Sequence, residues 1–122
     1  MTCNVGDIVL ISKFRYPDGV PGSLHFFVVM DIEKDEFTLV DLEYLCFIIS
    51  SKTDKNNDVN PKYPYNEPIF PTNETGLPES GHVKCNRLIS IVDKDDIIMK
   101  VGTVTQAQYD RFIELFDKAQ ST

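Results

Sequence analysis

Residues 25–49 read HFFVVMDIEKDEFTLVDLEYLCFII, and this pattern decides in favour of a sheet. Residues 25–32 are dominated by Phe and Val, side chains that fit a pleated, half-buried surface. The polar set Glu33, Lys34, Asp35 and Glu36 reads as a hairpin connection, because an antiparallel return needs only a short link. Residues 37–42 are the expected returning strand. Glu43 and Tyr44 lead into another apolar run, residues 45–49, which forms its own strand or continues the previous one through a bend. Ser50 and Ser51 close it.

Toward the N-terminus, residues 7–12 read DIVLIS, a β-branched run bounded by Gly6 and Lys13 that predicts another strand. Between these strands, residues 14–22 hold two prolines and two glycines in nine positions, a composition that predicts a surface loop and no continuing central strand. Toward the C-terminus, residues 52–81 lose all periodicity and fill with Asn, Asp, Pro and Thr. A long irregular excursion is expected there, of the kind that carries function or is mobile. Its aromatic residues Tyr63, Tyr65 and Phe70 predict that it folds back on the sheet. Residues 82–85 and 88–92 read as short strands separated by Asn86 and Arg87, and residues 93–100 as a brief helix around Ile97, Ile98 and Met99. The final segment predicts an amphipathic helix. Thr105 stands ready to cap it, Gln108 follows three residues on, and Tyr109, Phe112, Ile113 and Phe116 share one face.

With 122 residues, 42% hydrophobic and 25% charged, the chain can bury one core but hardly two, so one domain over residues 1–122 is expected. Its 12 basic and 19 acidic residues give a net charge of −7, which argues against gripping duplex nucleic acid on a broad basic face. Any nucleic-acid contact has to be local. The first residues lack a basic stretch followed by an apolar run, and the longest apolar runs are of strand length, so a cytoplasmic location without membrane attachment is expected. Cys3, Cys46 and Cys85 are scattered, with no CxxC pair and no His at ligand spacing, which predicts reduced, unligated thiols. The acidic clusters at residues 31–36 and 93–96 lack EF-hand spacing and read as solvated turns. No phosphate-binding glycine loop, GxSxG elbow or dinucleotide fingerprint is present, and neither a metal nor a cofactor is expected.

The order of motifs resembles the MazF/PemK/Kid growth-inhibitor family of toxin-antitoxin toxins. Gly6-Asp7-Ile8-Val9-Leu10, the Pro/Gly loop and the strand ending Phe27-Val28-Val29-Met30 resemble the opening of those proteins. Gly76-Leu77, then residues 81–91 followed by Asp93 and Lys94, resemble a glycine-apolar step and an R-T-I-D-K stretch in the second half. Residues 97–102 and the amphipathic helix resemble the ending. The resemblance covers nearly the whole chain except the middle loop. It implies a mainly β fold, an SH3-like small barrel with a C-terminal amphipathic helix, in a homodimer that binds single-stranded RNA or a cognate antitoxin protein near the dimer groove. It also implies a metal-independent endoribonuclease in which the ribose 2′-hydroxyl attacks the adjacent phosphate. A binding module that has lost catalysis, or a gyrase-directed toxin on the same fold, are the alternatives.

Mapping that chemistry onto this chain gives His25, Ser50 and Lys84 as the candidate catalytic set. His25 stands where the family often has Arg, and an imidazole exchanges protons near neutral pH. Ser50 falls at the family's Thr or Ser after the third long strand, where a hydroxyl can donate to the scissile phosphate, and Ser51 offers a second donor. Lys84 and Asn86 occupy an R-C-D step, here Lys84-Cys85-Asn86. The Lys84 ammonium can stabilise an anion without the bidentate geometry of Arg, but Asn86 cannot act as a base. Arg15 and Tyr16 in the first loop are candidates for contacting unpaired nucleotides, the cation at phosphate and the ring by stacking.

Overall fold

In the computed structural model, which describes residues 3–51 and 64–121, the longest strands come from the stretches richest in Phe, Val and Ile. β1 (Asp7–Arg15) pairs antiparallel with β2 (Pro21–Lys34), and β2 with β3 (Asp41–Ser50). β4 (Asn66–Ile69) and β5 (Gly81–Lys84) form a second hairpin that joins the end of β3, while β6 (Ile89–Ile91) pairs with the middle of β3. β7 (Ile97–Thr103) lies outside β1. Across the seven-stranded sheet the order is β4-β5-β3-β2-β1-β7, and β6 approaches β1 as well as β3, which curls the sheet.

Strand alternation sends successive side chains to opposite faces, and both faces are apolar here. Val9, Ile11, Phe27, Val29, Cys46, Ile48 and Ile89 form a core on the concave face. Ile8, Val28, Phe47, Ile49 and Val83 form another on the reverse face, which α1 (Gln106–Gln120) covers with Phe112 and Leu115. Each fully buried side chain of this kind contributes roughly 1.5–3 kcal/mol relative to exposure. The helix begins with the expected capping box, the Thr105 hydroxyl accepting from the Gln108 amide and the Gln108 side chain accepting from the Thr105 amide. Tyr109 pins it to the sheet by donating to the Met30 carbonyl at 2.8 Å. No helix among the described residues is long and apolar enough to cross a membrane.

Four local expectations are corrected. β1 and β2 extend through most of residues 14–22, leaving only a turn closed by hydrogen bonds between Tyr16 and Val20 and between Gly19 and Tyr16. Pro21 is tolerated because it opens its strand, and Gly22 is needed because the Phe14 ring lies where a Cβ would stand, 2.2 Å away. Residues 37–40 are turn rather than strand: the Asp35 carboxylate accepts from the amides of Phe37 and Thr38, and Leu39 takes a left-handed φ of 60°. The supposedly irregular stretch contains β4, whose strand pairing overrides a poor strand composition. Tyr65 from that stretch packs on the helix-covered core, Phe70 remains exposed, and Tyr63 lies outside the described residues. Residues 93–100 make a single 3-10 turn, Lys94–Asp96, then β7, because pairing with β1 recruits Ile97 into the core.

Candidate functional site

The concave core runs out at one end, and polar side chains take its place. Ile11 pairs with His25, and Ser50 pairs with His82. Phe26 faces Ile49, so one step further along the antiparallel pair His25 stands beside Ser50. Directly opposed residues project to the same face. The register therefore lines up His25, Ser50 and His82 in one row on the concave side, with Lys84 two residues beyond His82 on that same face. Gly81 makes this junction possible: a Cβ there would sit 2.5 Å from the Ser50 carbonyl oxygen.

His25 is half-buried and oriented from two sides. Its Nδ1 lies 2.5 Å from the Ser23 carbonyl oxygen, a contact that requires Nδ1 to donate, and in the neutral ring this leaves the lone pair on Nε2. The Phe14 ring meets the imidazole edge-on at 5.7 Å and Tyr16 at 5.0 Å, linking the first hairpin turn to the row. His82 is mostly buried, at 6% exposure.

Beside this row lies a cleft of about 460 Å³, with Ile48 and Ile89 among its apolar walls and Tyr16, Tyr65, Lys84 and Arg87 among its aromatic and cationic ones. Asn66 and Asn86 add amides, and no carboxylate is among the described lining residues. In a chain of net charge −7, that local composition favours an anionic ligand with flat apolar groups.

The fold thus gathers Tyr16, Lys84 and Asn86 in one cleft, with His25 and Ser50 on the adjoining row. Ser51 lines a smaller pocket with His25 and with Phe26, Ile49 and Leu77 of the helix-covered face. Arg15 stands apart: its guanidinium donates to the Gly19 carbonyl at 2.9 Å, and it lines a different hollow with Asp93 and Asp96. Sequence reasoning missed Arg87, Asn66 and Tyr65 as cleft residues and passed over His82. Arg87 carried a usable signal as a cation adjoining Asn86. Asn66 carried none, since only the pairing with Lys84 brings it there.

All three cysteines are unpaired and buried. Desolvation pushes the Cys46 and Cys85 thiols up to about 12, which keeps them protonated and unreactive at neutral pH. Among the described residues no group of three or more His, Cys, Asp or Glu is placed to hold a metal ion.

The mainly antiparallel sheet of seven strands with one C-terminal helix matches a MazF-type fold. Among solved structures, the chain is similar to the Mycobacterium tuberculosis toxin MazF-mt6, with a TM-score of 0.65 at 15% sequence identity, over 94% of this chain and 96% of that one. At such identity the likeness concerns the fold. No family model and no curated protein matches the sequence.

Proposed function

We propose that this chain is a toxin-like endoribonuclease that cleaves single-stranded RNA without a metal. In this reading the whole chain is one domain that works in the cytoplasm as a homodimer, restrained by an antitoxin laid over the same surface. The observation that carries the proposal is the pairing of an aromatic and cationic cleft with a row holding an imidazole and a hydroxyl.

The roles follow from the chemistry of each group. Tyr16 and Tyr65 offer stacking surfaces for unpaired bases, and Lys84 and Arg87 draw the phosphates into the cleft. His25 Nε2 accepts the proton of the ribose 2′-hydroxyl as that oxygen bonds to phosphorus. The bond from phosphorus to the 5′-oxygen breaks with its electron pair. The departing oxygen takes a proton from water at the open mouth, and the imidazolium releases its own to solvent. Ser50 and Lys84 stabilise the negative charge that gathers on the non-bridging oxygens. The products are a 2′,3′-cyclic phosphate and a 5′-hydroxyl. Arg15, tied to its own turn, contributes at most at the periphery.

Incubating the purified protein with a mixed single-stranded RNA in EDTA tests this directly. Cyclic-phosphate ends should accumulate, and His25→Ala should abolish them. RNA left intact at large protein excess sinks the proposal. One observation favours a second reading, a binding module without catalysis: Asn86 presents the cleft with an amide that cannot take a proton. That module would retain RNA or a protein partner and leave every phosphodiester whole.

A further inference from the structure

We propose that the turn between β2 and β3 is a docking element, and that it seats in the aromatic and cationic cleft of a second copy of this chain. The inference goes beyond the nuclease reading and does not depend on it. Phe37 at the tip of the turn is 90% exposed, and Leu39, Val40 and Leu42 follow at 69%, 56% and 53%. Single exposed apolar side chains are ordinary, but a cluster of this kind marks a surface that meets another.

The turn is built to hold that surface out. The Asp35 carboxylate accepts from the amides of Phe37 and Thr38, the Leu39 amide donates to the Asp35 carbonyl, and the Asp35 amide donates to the Val40 carbonyl. Leu39 completes this network at a φ of 60°, a left-handed conformation that Gly adopts more easily. The local fold gains little from Leu there, since the side chain meets solvent. Because hydrogen bonds already fix the turn, docking it needs little further ordering.

Charge selects the occupant. Glu33, Asp35, Glu36, Asp41 and Glu43 flank the tip, and the one cation among them, Lys34, is paired with Asp41. The counterpart therefore has to offer apolar walls together with cations. The large cleft offers both: Ile48, Ile89, Tyr16 and Tyr65 supply apolar and aromatic surface, Lys84 and Arg87 supply the positive charge, and about 460 Å³ leaves room for the Phe37 and Leu39 side chains. The tip does not reach its own cleft. Ile48 in the cleft and Asp41 at the foot of the turn share β3 and lie roughly 20 Å apart along it. The cleft that receives the tip belongs to another molecule, and because tip and cleft are different surfaces the contact is head-to-tail. A seated tip closes the cleft to RNA, so assembly and any cleavage there exclude one another.

Sedimentation equilibrium of the full chain without RNA tests the inference, using two variants with opposite defects. Phe37→Ser combined with Leu39→Gly removes the tip and keeps the cleft; both positions are exposed and Gly eases the backbone, so the unfolding midpoint should hold or rise. Arg87→Glu reverses a charge in the cleft, at an exposed position, and keeps the tip. Wild type should associate, and each variant alone should associate at least about tenfold more weakly, the usual weight of a central contact. Mixing the two variants should restore a complex, since one supplies the cleft and the other the tip. Variants that assemble as the wild type does overturn the inference, as does a mixture that stays apart. A wild type that keeps the single-chain mass at every concentration also overturns it and leaves the tip to a different, basic protein.

Discussion

The helix-covered face of the sheet stays apolar from Ile8 through Phe47 to Val83, whereas the concave face gives way at one end to His25, Ser50, His82 and Lys84. Both faces belong to the same strands, so strand propensity cannot explain the difference. On the sealed face Ile8, Val28, Phe47 and Val83 are fully buried, and Phe47 meets the Phe116 ring of α1 at 5.6 Å. On the open face Ile11, Phe27 and Ile48 close the core before the strands end, which leaves His25, Ser50 and Lys84 accessible while His82 stays buried. Polar groups placed there cost little stability and stand on rigid elements, a favourable base for chemistry.

The sharpest way to break this comparison is at the sealed face. Phe112 is 1% exposed, and Phe112→Ala should cost roughly 3–5 kcal/mol in urea unfolding. A loss below about 1 kcal/mol would mean that α1 is not integral to that core. At the open face the expected effect moves from stability to activity. His25→Ala should slow RNA cleavage by about 100-fold or more, the usual weight of a general base, with the unfolding midpoint nearly unchanged. Equal damage to stability would show the row to be packing after all.

Smaller changes refine the picture. Thr105→Ala removes the cap of the covering helix and should cost about 1 kcal/mol, read as a lower thermal midpoint with no change in cleavage products. The weakest effect is expected at the other end of the concave face, where the Tyr44 hydroxyl donates to Asp41 at 2.7 Å. Hydrogen bonds from Lys34 and then Tyr44 hold the Asp41 carboxyl below its ordinary value of 3.8. The stability this contributes is fully present above that ordinary value and is lost as pH falls through the lower folded one. Asp41→Asn should flatten the acid limb of a plot of urea midpoint against pH, and an unchanged limb would assign the slope to other carboxylates.

What could be read from the residues alone follows a physical divide. β1, β2, β3 and α1 announce themselves because each buries a long periodic face, and Thr105 with Gln108 marks the helix start without ambiguity. β4 stays hidden because Asn66, Glu67 and Pro68 have no strand preference and owe their conformation to β5. β7 reads as a helix in the sequence because Ile97, Ile98 and Met99 follow four charged residues and show neither period clearly. At the site, His25, Ser50 and Lys84 were legible one by one through a resemblance, but their shared face depends on a register spanning some sixty residues of chain. Tyr16 reaches the cleft only because the hairpin is tighter than its Pro/Gly content implied, and the same tightening ties Arg15 elsewhere.

The outermost described strand on one side of the sheet, β4, has a consequence for how the molecule behaves in a crowd. The Cys85 amide donates to the Tyr65 carbonyl, so odd-numbered positions of this hairpin point their backbone groups inward and even-numbered ones outward. Pro68 thus directs its ring nitrogen, which has no hydrogen to give, toward any strand arriving from solution. A second molecule trying to lengthen the sheet along β4 would find a missing rung at Pro68.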